Sequence, residues 1–405
     1  MSRLQTGLRT GLLAVTVAAV VSGCASQSQQ SAQESTLRPM EQTRLIAGMH
    51  YGSLYQRNLL FGLAQPSQPE TAWDLTRDNL SLELDLEEAR LARELAWLEQ
   101  NPAHVTAVSQ RALPYYHYIL EQVLERGMPA EVALIPFIES GYNPFAVSSA
   151  RAAGPWQFIP GTARNFGLES NWWYDGRRDI VASTDAALNY LSKLNDMFEG
   201  DWLLTFAAYN AGEGNVLRAM NRNREANKPL DYWSLRLPAE TMRYVPKLLA
   251  TARVIRDADT LGVELEAIPA EPYFAQIDTG GQLDLSQAAA LAEIDLDELK
   301  RLNPGFSRWA TAPEGPHRLL VPVENADQFQ TALVQLPVEE RVNYQHYTIN
   351  SGDTLGAIAR RFGTTVSALQ QANQMDHTRL RVGQTLLVPA GNTDLALQSA
   401  RAGSG

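Results

Sequence analysis

The stretch Val132 to Gly141, VALIPFIESG, sets one acidic residue at the end of a nearly unbroken apolar run. A carboxylic acid among apolar neighbours is desolvated, which penalises its charged form and raises its pKa. A general acid working near neutral pH needs that shift. Two readings of Glu139 are open at this level: a proton donor in a cleft, or a polar residue at the exposed end of a buried helix. Three further segments follow it. Gly154-Pro155-Trp156-Gln157-Phe158-Ile159-Pro160 reads as a tight loop. In it Trp156 is either a flat face for a sugar ring or a core residue, and Gln157 offers both a donor and an acceptor. In Ala207 to Asn215 (AAYNAGEGN), two glycines end an apolar helix and expose backbone, which sets Tyr209 and Asn210 at an open helix end. In Glu240 to Pro246 (ETMRYVP), Glu240 and Tyr244 are four apart and share a helix face.

Around this block the spacing is helical. Residues 80–100 carry apolar positions at helix spacing, with Leu91, Leu95 and Leu98 on one face, until Pro102 breaks the pattern. A second amphipathic helix is expected over 105–126, ending at Gly127, and further helices over 183–198, 201–211 and 240–257. Residues 75–260 therefore read as one mainly α domain, and Gly262 to Pro272 as a boundary.

Beyond the boundary the pattern changes. Residues 345–389 read strand, helix, helix, strand. Asp353 or Thr354 can cap the first helix, Gly363 can end it, Thr365 can cap the second, and Thr385 to Val388 form the closing strand. The pattern recurs at an offset of 70: Leu285, Ala289, Leu296, Leu299 and Asn303 fall on Leu355, Ala359, Val366, Leu369 and Asn373, and LLVP closes both copies. The first copy carries three extra residues before its LLVP and lacks the Gly352-Asp353-Thr354 turn.

Composition narrows the function. The chain has 405 residues, enough for two or three domains, with 45% apolar and 20% charged residues and a formal net charge of −11. That charge argues against a nucleic-acid-coating surface. The single cysteine, Cys24, excludes an internal disulfide, a CxxC pair and a thiolate cage. Six scattered histidines with no HExxH give no support to a metal site. No metal and no cofactor is expected. Residues 118–316 contain no histidine, so this block cannot itself supply the base of a Ser-His-Asp peptidase.

The N-terminus accounts for the cysteine. Arg3 and Arg9 precede the apolar run Gly11 to Val21. Eleven helical residues rise about 16 Å, too little to cross a hydrocarbon core of about 30 Å, so the run has the size of a signal-peptide core. Val21-Ser22-Gly23-Cys24 resembles a bacterial lipobox, which implies cleavage before Cys24, acylation at Cys24, and a lipid anchor on the periplasmic side of the outer membrane. Residues 25–35 (ASQSQQSAQES) read as a solvated tether.

Taken together, the four segments resemble the lytic transglycosylases of the lysozyme-like superfamily. Glu139-Ser140 matches the family's ES, Gly154 to Gln157 its GLMQ-type motif, Ala208 to Gly212 its AYNAG, and Glu240 with Tyr244 its late ET…Y, over roughly 115–255. Residues 347–390 resemble a LysM module, and 273–323 a degenerate one. The resemblance implies a mainly α lysozyme-like catalytic domain (75–260) plus small α/β (βααβ) LysM-type modules at 273–323 and 345–390. Residues 1–23 would be the lipoprotein signal peptide, 24–70 a tether and N-terminal extension, and 391–405 a flexible tail.

The resemblance also implies chemistry. Peptidoglycan glycan strands would be the partner, and Glu139 the single acid/base that cleaves the MurNAc–GlcNAc β-1,4 bond and leaves a 1,6-anhydro end. Ser148, Gln157, Tyr209, Asn210 and Tyr244 would line the cleft. In the LysM module Gly352, Asp353 and Thr354, with the loop Gln374 to Arg379, would flank a sugar groove, or else merely cap and turn the chain. Pro155-Trp156 replaces the family's Leu-Met, so the cleft wall would be shaped differently. Glu213, Glu240 and Asp175 are candidate second carboxylates. If one of them activated water, a lysozyme-type muramidase would be the reading, and a catalytically dead wall-binding lipoprotein is the non-enzyme alternative.

Overall fold

The computed structural model describes residues 70–389 except 338, 339, 343 and 374. Cys24, the stretches expected to be a signal peptide, a tether and a tail, and Gln374 lie outside the described residues.

Residues 71–262 are mainly helical. Thr71 caps α1 (Ala72–Asp78) in a reciprocal capping box with Asp74. The helix expected over 80–100 begins only at Ala89. In LSLELDL every second residue is leucine, a period-2 pattern, and 80–87 runs extended with Leu80, Leu82, Leu84 and Leu86 turned inward. Then α2 (Ala89–Gln100) buries Leu91 and Leu98 and half-buries Leu95. Pro102 opens α3 (Pro102–Ala112), where its missing N–H costs nothing. The single helix expected over 105–126 is two: Pro114 has no N–H to carry on the helical ladder, and here the chain breaks, so α3 ends at Ala112 and α4 (Tyr116–Glu125) starts afresh. A 3₁₀ turn (Ala130–Leu134) leads into the short α5 (Ile135–Glu139).

Next come α6 (Pro160–Asn165), α7 (Ile180–Met197), α8 (Trp202–Ala211), α9 (Glu213–Glu225) and α10 (Thr241–Arg256). Asp179 and Asp201 cap α7 and α8 by accepting from Ala182 and Leu204 N–H. The three helices expected over 183–198, 201–211 and 240–257 are thus present within a few residues. A short turn, α11 (Ala258–Leu261), ends on left-handed Gly262.

Two βααβ units follow. The first has β1 (Phe274–Asp278), α12 (Leu285–Ala292), α13 (Leu296–Leu302) and β2 (Arg318–Pro322), with β1 antiparallel to β2 from Phe274↔Pro322 to Asp278↔Arg318. Its core runs past residue 323: α14 (Val323–Gln335) buries Phe329 and Leu333 in the same cluster. The second has β3 (Tyr344–Thr348), α15 (Leu355–Arg361), α16 (Val366–Ala372) and β4 (Thr385–Pro389), again antiparallel. The offset of 70 is structural. Asn303 donates to Leu299 and Leu320 carbonyls and accepts from Leu320 N–H. Asn373 makes the same three bonds with Leu369 and Leu387. One asparagine per copy ties the second helix to the second strand.

Candidate active site

Glu139 is the last residue of α5. Ile135 to Ile138 are buried, which fixes the helix against the core, while Ser140 at the C-cap and left-handed Gly141 and Tyr142 turn the chain away after a single turn. Glu139 is thus set at the edge of the core, a half-buried residue whose carboxyl is desolvated. Desolvation pushes its pKa up to about 7; the Tyr244 hydrogen bond and the Lys247 charge hold it back, and Glu240 adds to the rise.

The long helix α10 supplies that surrounding. Tyr244 Oη donates to Glu139 Oε1 at 2.7 Å. One turn on, Lys247 Nζ donates to Ile138 O at 3.0 Å, which satisfies a carbonyl at the end of α5. Burial lowers the Lys247 pKa against the raising charge of Glu139. At the start of α10, Thr241 Oγ1 donates to Asn210 Oδ1 at 2.8 Å. Tyr209 Oη donates to Trp156 O at 2.9 Å, and its ring lies 5.5 Å from that of Tyr190. Burial and the nearby Glu139 charge raise the pKa of both Tyr209 and Tyr244, which keeps both phenols protonated donors.

The loop with Gln157 is held from two sides. Ser140 Oγ donates to Pro155 O at 2.9 Å, which ties the residue after Glu139 to this loop. Gln157 has a φ of +50°, and its Nε2 donates to Gly154 O at 2.9 Å and Ala146 O at 3.3 Å, so its amide nitrogen serves the loop. Ser148 lies on an exposed turn, where its Oγ accepts from Ala152 N–H at 3.1 Å.

Two sequence-level expectations change. Trp156 cannot stack on a sugar: it is fully buried, and its indole N–H donates to Thr184 Oγ1 at 3.0 Å. Asp175 is not free for water activation, because Arg177 binds it twice and Ser170 once, at 2.7–2.9 Å, and these bonds hold its carboxyl below its ordinary range. Glu213, the first residue of α9, accepts from Tyr190 Oη at 3.2 Å. Glu240 is exposed at the N-cap of α10, where a carboxylate suits the helix dipole.

Sequence reasoning missed Lys247 and the bridging role of Ser140. Lys247 lies three residues after Tyr244, so helix spacing alone could have placed it on the same face. In the second βααβ unit, Asp353 accepts from Tyr347 Oη at 2.8 Å and Asn350 N–H at 2.7 Å, and Thr354 caps α15 through Ala357 N–H, beside Gly352 at φ +91°. Turn and cap account for all three residues. Among the described residues, no group of three or more His, Cys, Asp or Glu is arranged to hold a metal ion.

Three family models match: the transglycosylase SLT domain over residues 120–231, the LysM-like domain of lytic transglycosylase MltD over 273–338, and the LysM domain over 347–389. Membrane-bound lytic murein transglycosylase D of Escherichia coli, in strain K12 and in an O6:H1 strain, is 38% identical over 331 residues, which is 79% of this chain and 73% of that protein. Among solved structures, the 70 kDa soluble lytic transglycosylase of Escherichia coli is similar at 19% identity and a TM-score of 0.31, over 46% of this chain and 32% of that one. The chain belongs to the lytic murein transglycosylases: its SLT-type catalytic domain is followed by two LysM-type units.

Proposed function

We propose that the enzyme cuts the MurNAc–GlcNAc β-1,4 bond of peptidoglycan with Glu139 as its only acid/base, and leaves 1,6-anhydroMurNAc ends. The observation that carries this reading is Glu139 itself: a half-buried residue whose carboxyl is desolvated to a pKa of about 7 and hydrogen-bonded on Oε1 by the Tyr244 phenol. With a pKa near neutrality it is protonated often enough to donate to the glycosidic oxygen. As a carboxylate, steadied by Tyr244 and Lys247, it then takes the proton of the MurNAc C6 hydroxyl, and that oxygen closes on C1. The nucleophile lies within the substrate, so the second carboxylate of an ordinary glycosidase is not needed. Gln157, Tyr209, Asn210, Tyr244 and Ser148 would line the cleft, with Gln157 Oε1 and Asn210 as polar contacts to the sugars.

The second βααβ unit would hold GlcNAc-containing strands, with Gly352, Asp353 and Thr354 beside the groove. Cys24 would carry the lipid that anchors the enzyme to the periplasmic side of the outer membrane. The "membrane-bound" name of the relatives supports an envelope location, and among the described residues no helix is long and apolar enough to cross a membrane. Mass spectrometry of digested peptidoglycan tests the reaction: anhydro ends are expected, and reducing MurNAc ends would make the enzyme a muramidase.

A further inference from the structure

The first βααβ unit meets the catalytic segment through the loop between α13 and β2. Asp175 N–H donates to Gly305 O at 2.8 Å, and Ser307 N–H donates to Trp173 O at 2.7 Å. Trp173 and Tyr174 are buried in the core of the βααβ unit, not in that of the catalytic helices. The Tyr174 and Phe306 rings lie 5.4 Å apart, and a Cβ on Gly305 would come within 2.8 Å of the Tyr174 ring. Arg318 of β2 pairs with Asp179 at 3.0 Å, the carboxylate that also accepts from Tyr174 Oη.

The same segment, 173–179, holds the loop that carries Gln157. Arg177 is gripped by Asp175 and donates from Nη1 to Arg151 O at 2.8 Å. Gly154, at φ +83°, passes so close that a Cβ there would sit 1.7 Å from Arg177 O, and Gly154 O in turn accepts from Gln157 Nε2. Direct contacts therefore run from Gly305 and Phe306 through Asp175 and Arg177 to Gln157.

The face that would read sugar is closed in this unit. At the offset of 70, residues 282–284 and 304–309 correspond to 352–354 and 374–379 of the second copy. In the first copy the two edges are zipped together: Leu285 N–H donates to Trp309 O at 2.8 Å, Thr311 N–H to Leu283 O at 2.9 Å, and Gln282 Nε2 to Thr311 O at 2.8 Å. Leu283 is fully buried, and residues 305–307 are bonded to the catalytic segment.

We infer that the unit at 273–338 is a brace for the catalytic loop rather than a sugar reader, with Asp175 and Arg177 as positioning residues that pass its hold to Gln157. This rests on the proposal that Gln157 lines the cleft. The test uses the full chain with Phe306→Ala, Asp175→Asn and Asp175→Glu, and measures cutting of soluble glycan strands, amide hydrogen exchange over 151–158, and pull-down on insoluble peptidoglycan. Phe306→Ala and Asp175→Asn are expected to raise KM roughly tenfold, with kcat changed less than about threefold, and to speed exchange at 154–158. Asp175→Glu should recover most of the lost KM, and pull-down should stay at the parent level. Parent KM together with parent protection at 154–158 in both variants would overturn the brace. If Phe306→Ala fails to fold, Arg318→Gln, which removes one ion pair at the same contact, gives the same readouts. If the parent chain does not cut glycan at all, the proposed function fails, while hydrogen exchange, which needs no substrate, still decides the brace.

Discussion

Glu131 and Glu139 lie eight residues apart in one apolar stretch, and desolvation raises the pKa of both. Their lone pairs are used differently. Glu131 is completely buried, and its carboxylate accepts from Ser81 N–H at 3.1 Å and Leu82 N–H at 2.9 Å, which pins the extended segment 80–87 to the 3₁₀ turn. Glu139 stands at a helix end, takes a hydrogen bond from one phenol, and keeps part of its surface open. Burial alone therefore does not make an acid catalyst. A raised pKa has to coincide with a lone pair that no backbone amide occupies and with access from outside.

The contrast can be broken most sharply by exchanging each carboxylate for its amide. Glu139→Gln is expected to lower kcat by about 10³-fold in a chain that still folds, since it removes the group proposed to move both protons. Glu131→Gln should leave the kcat of the folded fraction within about threefold. Glycan release together with circular dichroism reads both, and equal losses in the two variants would erase the distinction.

Stability should respond in the opposite order. Glu131→Ala removes the acceptor of two part-buried amide N–H groups and opens a void in the core, so urea unfolding should show a loss of about 2–4 kcal/mol. Glu139→Ala should cost less than half of that.

Glu139 also leaves a pH signature on stability. With Glu139 at about 7 in the folded chain against an ordinary 4.5, the folded state binds more protons than the unfolded one between those values. Stability contributed by this group is present at low pH and is lost as pH rises from 4.5 through 7, by about 1–3 kcal/mol. Unfolding free energies measured across pH 4–8 should fall more steeply in the parent than in Glu139→Gln.

A smaller loss than that of Glu139→Gln is expected of Tyr244→Phe. Loss of the phenol removes a bond that favours the carboxylate, so the Glu139 pKa rises and the alkaline limb of the kcat/KM profile moves upward. kcat should drop about three- to tenfold, the worth of one such hydrogen bond. An unmoved limb would separate Tyr244 from proton transfer.

The sequence made the catalytic helices legible where apolar residues keep helical spacing over several turns, as at 183–198 and 240–257. It misled where a leucine-rich stretch satisfied two periods at once, as at 80–87, and where the long apolar pattern over 105–126 hid the break at Pro114. Glu139 stood out because its neighbours are apolar, and Tyr244 because it shares a helix face with Glu240. Trp156 was ambiguous because an indole suits a core and a sugar platform equally, and the Thr184 hydroxyl that receives its N–H lies 28 residues away. The brace was hidden for a related reason: its contacts are largely backbone bonds between distant loops, which leave no signature in residue type.

Cleavage of peptidoglycan in heavy-oxygen water tests the central claim most directly. If the MurNAc C6 hydroxyl is the nucleophile and Glu139 alone moves the protons, mass spectra of the products will show anhydroMurNAc ends with no oxygen from solvent. Reducing MurNAc ends that carry the heavy oxygen would contradict the account, because water would then be the nucleophile.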